Sequence, residues 1–283
     1  QLPYVEVDIL QNIEQAITGI LSGMTALLID GYDEVICMDV RTYPARSVDQ
    51  PEKEKVLRGS KDGFVETIVF NTALIRRRIR DPHLTMEILS VGDISHTDVV
   101  LCYIENKVDK ELLNTIRKKI KNIHTSSLNM NQTSLAECLY ERKWYNPFPK
   151  YKYTERPDTS AASILEGSLV ILVDNSPSAI ILPTSLFGIM EEADDYYLPP
   201  ITGTYLRLTR FIISIVTFFI TPTILLLTMY PERIPEWLSF IKLQEYTNVP
   251  LLFQFLILEI AVDGLKLAAV NTPSMLSTPF SII

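Results

Sequence analysis

The hydrophobic and polar positions of this chain fall into two regimes. From Phe211 to Met229 it reads FIISIVTFFITPTILLLTM without a charged residue, framed by Arg207 and Arg210 before and Tyr230-Pro231-Glu232 after. A bilayer core about 30 Å thick takes roughly 20 apolar residues in a helix, so a membrane span over about 207–230 is expected. Core helices of soluble proteins seldom run this far uncharged, and Pro222 is tolerated where neighbouring groups re-satisfy the freed backbone. Upstream, the periods are short. Ile9, Ile13, Ile17 and Ile20 form a helical stripe over 8–22. Thr25 to Asp30 and Val35 to Asp39 flank Gly31-Tyr32-Asp33 as a hairpin, followed by loop from Tyr43-Pro44 to Pro51-Glu52. Glu66 to Arg78 has helical spacing stopped by Asp81-Pro82. Leu84 to Val91 and Asp98 to Ile104 are strand-like around Gly92-Asp93.

A second series follows. Lys110 to Lys121 is an amphipathic helix with Leu112, Leu113, Ile116 and Ile120 on one side. Leu135 to Tyr140 is a short helix closed by Pro147-Phe148-Pro149. Thr154 to Glu166 opens on Thr-Glu-Arg-Pro-Asp, and Leu169 to Val173 and Ala179 to Leu182 are strands around Asp174-Asn175-Ser176-Pro177. The fold class expected is α/β: a subdomain over 1–106, another over 107–200, and the start of a helical membrane domain over 201–283. In that domain 231–248, with Trp237 and Phe240, reads as interfacial or re-entrant, and 249–270 as a second span. The apolar end at Ile283 reads as a fragment of something longer, at both termini.

Composition sharpens this picture only in part. The net charge is −8, which disfavours nucleic acid as a partner. The 3 cysteines, Cys37, Cys102 and Cys138, show no metal or redox spacing. Lys and Arg ahead of a span favour the cytoplasmic side, which places the α/β region in the cytosol. His83, His96 and His124 lack the spacing of a metal pair, and no GxSxG elbow, phosphate-loop or dinucleotide motif occurs. No catalytic residue, metal or cofactor is expected, and the chain does not read as an enzyme.

Two stretches carry candidate chemistry. Glu259, Asp263 and Lys266 share one helical face within the second expected span. Ionisable groups at membrane depth usually face a bundle interior or a water-filled path; a structural ion pair at the interface is the alternative. The polar, Pro-broken run Asn271, Thr272, Pro273, Ser274, Ser277, Thr278 and Pro279 follows, and broken helices offer carbonyls to ions. Glu259, Asp263 and Asn271 are therefore candidates for an ion path or its gate. The second stretch, Arg58-Gly59-Ser60-Lys61-Asp62-Gly63-Phe64 with Arg76, Arg77, Arg78 and Arg80, suits an anion cradle or a solvated basic helix end. The latter is preferred, with subunit or subdomain contact as its sharper form.

The run Lys55 to Glu66 (KVLRGSKDGFVE), continued by Asn71 to Asp81 (NTALIRRRIRD), resembles the signature of GerA-family spore germination receptor A subunits. So do Tyr145 to Pro149 (YNPFP), Thr154 to Asp158 (TERPD), Leu165-Glu166-Gly167 and Val173 to Pro177 (VDNSP). Leu267 to Pro273 with Leu276 to Pro279 is similar to the stage V sporulation protein AF branch. The resemblance implies a multi-pass protein of the endospore inner membrane, its α/β region cytosolic. It implies partnership with B- and C-type subunits or a small partner membrane protein, homo-oligomerisation, and nutrient-triggered cation release from the spore core. Family members carry further membrane helices after the Pro-rich stretch, so this chain alone is not expected to form a complete pore. The alternative from another class is a membrane-anchored sensor or scaffold whose α/β region binds a small molecule or a partner subunit.

Overall fold

The stripe expected as one helix over 8–22 instead forms a strand and then a helix, β1 (Val7–Leu10) and α1 (Ile13–Leu21). Asn12 separates them: its backbone is extended, and its side chain accepts a hydrogen bond from the Glu14 N–H at 2.9 Å, capping α1. β2 (Thr25–Leu28) and β3 (Val35–Met38) follow as expected, and the three strands pair antiparallel in the order β1-β3-β2. The correction has a physical cause. Apolar residues four apart fit either period at Ile9, and pairing of Val7–Leu10 with β3 satisfies backbone groups that a first helical turn would leave open. A small core of Ala16, Val35 and Cys37 holds this layer together.

A computed structural model describes residues 7–40, 46–51, 54–56, 58–140, 149–241 and 249–271. The expected loop around Tyr43-Pro44, the Tyr145 to Phe148 motif, Lys242 and Glu245, and the Pro-broken run beyond Asn271 lie outside them. The chain divides into Gln1–Leu198 and Pro199–Ile283, and each unit is described by itself.

The second sheet of the first unit draws on nearly a hundred residues of sequence. Helix α2 (Ile68–Arg78) leads into β4 (Leu84–Val91) and β5 (Thr97–Ile104). Then come α3 (Lys110–Lys121), α4 (Gln132–Leu139), β6 (Lys152–Thr154) and α5 (Pro157–Leu165). β7 (Leu169–Val173), β8 (Ala179–Leu182) and the short α6 (Leu186–Ile189) close the series. The strands form an antiparallel sheet ordered β4-β5-β7-β8-β6. Strands expected in separate subdomains thus share one sheet: β5 pairs with β7 from Val99 opposite Val173 to Cys102 opposite Val170. No boundary falls at residue 106, because the apolar faces on its two sides bury each other.

Successive side chains on a strand point to opposite faces, and here both faces are covered. Val99, Leu101, Tyr103, Leu169, Ile171, Val173 and Ile180 pack with Leu113, Ile116 and Ile120 of α3 and Leu135 and Leu139 of α4. Val100, Cys102, Ile104, Val170, Leu172 and Ile181 pack with Ile75 and Leu74 of α2 and Ala161 and Ile164 of α5. Two-sided burial explains why VVLCYI and LVILV read as unbroken apolar runs. α2 is fixed at its start by tertiary contact, since the Ile68 N–H donates to Asp174 Oδ1 at 3.2 Å. Buried Asn71 bonds both the N–H and the carbonyl of Val65, at 2.9 and 2.6 Å, and so ties the preceding loop to the helix.

In the second unit α7 (Pro200–Met229) is one continuous helix through Pro222. Among the described residues it is the helix long and apolar enough to cross a bilayer, with a peak mean hydropathy of 2.3 and none of that window buried. Two 3₁₀ turns, Pro231–Arg233 and Glu236–Ile241, occupy the described part of the expected interfacial segment; Pro231 and Pro235 interrupt α-helical bonding there. α8 (Leu251–Asn271) is 21 residues long, but Glu259, Asp263 and Lys266 give it more charge than an unpartnered membrane span carries. The second span expected from sequence falls on this helix, which has a suitable length and carries three ionisable residues.

Candidate functional site

The Thr154-Glu155-Arg156-Pro157-Asp158 stretch starts α5, and its chemistry follows from position. Proline restricts the residue before it to extended backbone, as found for Arg156 (φ −108°, ψ 122°), and Pro157 sits at the first helical position, where no N–H is needed. Asp158 occupies the first turn, where the helix dipole favours negative charge. The Arg156 side chain turns inward and is 0% exposed. A buried guanidinium requires partners for charge and N–H groups alike. Its Nε donates to Asp158 Oδ1 at 3.0 Å and its Nη2 to Asp158 Oδ2 at 2.6 Å, while Nη1 reaches the Glu54 carbonyl at 3.1 Å and Nη2 the Ser60 carbonyl at 2.7 Å.

Around this hub two loops and the end of the unit converge. The Glu54 carboxylate accepts from Thr154 Oγ1 at 2.7 Å and from the Glu155 N–H at 2.9 Å. Arg78, at the end of α2, donates to Ser60 Oγ at 3.0 Å and to Asp62 at 2.5 Å, and Ser60 Oγ also bonds Asp62. Tyr197, three positions ahead of α7, inserts its phenol: the hydroxyl donates to Asp158 Oδ2 and accepts from the Ser60 N–H at 3.3 Å. Its ring lies over Gly59, whose φ is +107°, and a Cβ there would come within 2.3 Å of Tyr197 Cζ. The Arg-Gly-Ser-Lys-Asp turn thus receives a tyrosine of the same chain where an anion was one of the readings.

The electrostatics favour a closed arrangement. Burial alone would raise the Asp158 pKa, but hydrogen bonds from Arg156 and Tyr197 and the Arg156 charge bring it below the ordinary 3.8. The same balance, with Arg78 and Ser60 as partners, lowers Asp62. Burial and the bond to Asp158 raise the Tyr197 phenol, so it stays protonated as a donor at neutral pH. A carboxyl whose folded pKa is lowered contributes stability that is full above its unfolded value and is lost as pH falls through the folded one. Wild-type protein should therefore lose stability progressively below the ordinary value of 3.8, and Asp158→Asn should flatten that acid limb. Denaturant midpoints measured from pH 7 to pH 3 check this; parallel curves for the two proteins would refute the assignment.

The residues singled out from sequence fall in several places. Arg78 belongs to the hub. Arg76 instead joins the end of α2 to the start of β4, donating to the carbonyls of Asp81 at 3.1 Å and Leu84 at 2.8 Å. Arg58, Arg77 and Arg80 are exposed. On α8, Lys266 Nζ donates to Asp263 Oδ1 at 3.1 Å, and both are mostly exposed. Helical geometry keeps Glu259 beside this pair and carries position 271 about three and a third turns, roughly 18 Å, beyond Glu259. Arg156, Asp158, Glu54 and Tyr197 were not singled out. An Arg-Pro-Asp helix start was a visible signal; Tyr197, distant in sequence, offered none. Among the described residues no group of three or more His, Cys, Asp or Glu could hold a metal. The buried Cys102 thiol is pushed up to about 12 by desolvation, unsuited to act as a nucleophile.

A family profile described as "Bacillus/Clostridium GerA spore germination protein" matches residues 1–283. The chain belongs to the GerA family. It is 39% identical over 278 residues to stage V sporulation protein AF of Bacillus subtilis, covering 98% of this chain and 56% of that protein. It is 31% identical over 276 residues to spore germination protein A1 of the same organism, covering 96% and 57%. An uncharacterized membrane protein, YfkQ, is 30% identical over 275 residues, covering 96% and 53%. This GerA-family chain thus spans a little over half the length of these relatives.

Proposed function

We propose that this GerA-family chain is the α/β unit and first membrane portion of an A-type subunit of a spore germination receptor, and that it takes part in nutrient-triggered cation release from the spore core. The observation that carries the reading is the Tyr197 latch: the segment entering α7 is held by Asp158 and Ser60, which the Arg156 hub joins to α2, α5 and the 54–62 loop. Rearrangement of the α/β unit would change how tightly that entry is held, a two-state element of the kind that couples sites. In this reading the α/β unit is cytosolic, the protein is multi-pass in the spore inner membrane, and B- and C-type or small membrane partners join a homo-oligomer. Glu259 and Asp263, and Asn271 further along α8, line or gate the cation path, while exposed Arg58, Arg77 and Arg80 contact neighbouring subunits.

Spores carrying full-length protein with Tyr197→Phe test the coupling. The ring is kept and only the hydroxyl is lost, a change of about 1–2 kcal/mol at the latch. The expected result is altered timing of cation release at unchanged protein level in the membrane. Release identical to wild type would sink the coupling. Glu259→Gln with Asp263→Asn tests the path separately, with slowed release expected and unchanged release making α8 structural.

A further inference from the structure

In the β1-β3-β2 sheet, Val35 and Cys37 of the central strand pack with Ala16 of α1, which covers one face. Ile36 and Met38 alternate to the other face. The ladder sets Ile9 and Leu27 opposite Ile36, and Val7 and Thr25 opposite Met38; residues directly opposite share a face. All of these outer side chains but Thr25 are apolar, and Ile9 is 62% exposed. An apolar face open to water marks a contact surface. Its surroundings are acidic: residues 7–40 contain Asp8, Glu14, Asp30, Asp33, Glu34 and Asp39 and no Lys or Arg. Asp30, Asp33 and Glu34 lie in the β2–β3 turn, at the Leu27–Ile36 end of the face.

A complementary surface lies on α2. Ile68, Leu74 and Ile75 turn into the core. Val69, Ala73, Arg76 and Arg77 recur at helical spacing along the outer side, with Phe70 beside them. Val69 is 61% exposed, and Phe70, Ala73 and both arginines are exposed too. The stripe is apolar in its first half and basic in its second. Aromatic and Arg side chains together are the composition of interface anchors. Eight helical residues rise about 12 Å and a four-residue strand about 13 Å, so the two surfaces match in length. With Val69, Phe70 and Ala73 on Ile9, Leu27 and Ile36, Arg77 falls at the acidic turn.

We infer that the outer face of the β1-β3-β2 sheet in one copy receives the α2 stripe of a second copy, head to tail. Every chain carries both surfaces, so one kind of contact serves both, as in a heterologous interface. Charge complementarity fixes the direction of approach. A bilayer is the poorer occupant, since anionic headgroups repel an acidic layer. The sheet face spans only about 14 by 13 Å, well below the ~800 Å² that a free-standing complex buries per partner. The contact therefore operates between copies that another attachment already holds together. It presupposes the homo-oligomer proposed above and adds the two surfaces through which its copies meet.

The test uses two differently tagged full-length copies expressed together in membranes, both with the exposed Cys138 changed to Ser. One carries Ile9→Cys and the other Ala73→Cys, and a short bismaleimide joins thiols in contact. A product bearing both tags is expected, with none when Ile17→Cys, on exposed α1, replaces Ile9→Cys. Arg77→Glu should lower its yield about 5-fold, which is about 1 kcal/mol, and Asp30→Lys with Asp33→Lys in the other copy should restore it. If the tags co-purify but no product forms, the homo-oligomer stands and this interface is overturned. If the tags do not co-purify, both fall. A product from Ile9→Cys copies alone, an equal product from Ile17→Cys, or a yield unmoved by charge reversal would also overturn it.

Discussion

Arg156→Met should destabilise the α/β unit by about 3–5 kcal/mol, the loss seen when one member of a buried ion pair is removed. The methionine fills much of the same volume, so the effect comes mainly from partners left behind. Asp158, 17% exposed at its side chain, would keep its charge with only Tyr197 and a backbone N–H to serve it, and the carbonyls of Glu54 and Ser60 would lose their donors. A second change separates charge from packing. Replacing both members, Arg156→Met with Asp158→Leu, removes the orphaned carboxylate and should recover a substantial part of the loss, although the two carbonyls remain unserved. Chemical denaturation of the single and double variants decides the matter. A single-variant loss below about 1 kcal/mol, the scale of a surface ion pair, would mean that the hub does not hold the loops together.

Gly59→Ala is expected to have the second large effect, by two mechanisms that can be told apart. At φ +107° a side chain is strained whatever the space around it, typically by about 1–3 kcal/mol. The added methyl would also overlap the Tyr197 ring, with Cζ at 2.3 Å and Cε1 at 2.4 Å, and overpacking costs about 1–3 kcal/mol more. The ring cannot slide aside freely, because its hydroxyl is held by Asp158 and Ser60. Alanine should therefore expel Tyr197, so that the phenol, already 38% exposed, loses its bond to Asp158 and titrates closer to its ordinary value of 10.0. In a Tyr197→Ala background the overlap disappears and only the backbone strain remains, so the cost of Gly59→Ala should fall by roughly half. Equal costs in both backgrounds would show that the ring does not rest on Gly59.

Much of the local structure was legible. The expected limits Lys110–Lys121, Leu169–Val173 and Ala179–Leu182 are those of α3, β7 and β8, because each element's apolar positions repeat with its own geometry. The apolar α7 and the family motifs were equally plain, since both are properties of contiguous residues. β1 was hidden because Ile9 fits a helical stripe and a strand alike, and only its pairing with β3 decides between them. β6, three residues long, has too few positions to show any period.

What the amino-acid order determined by itself was therefore most of the elements, the apolar α7 among them, and membership of the family. What tertiary structure decided was which elements meet. β5 pairs with β7 across α3, α4, β6 and α5, uniting two expected subdomains. Arg156, one of many charged residues in the sequence, became a hub only when folding removed it from water and left it the Asp158 carboxylate and two loop carbonyls as partners. Tyr197 gained its place from a gap that Gly59 leaves open. Periodicity records how a side chain sits on its own element; the cost of burying charge is settled between elements, and no local pattern encodes it.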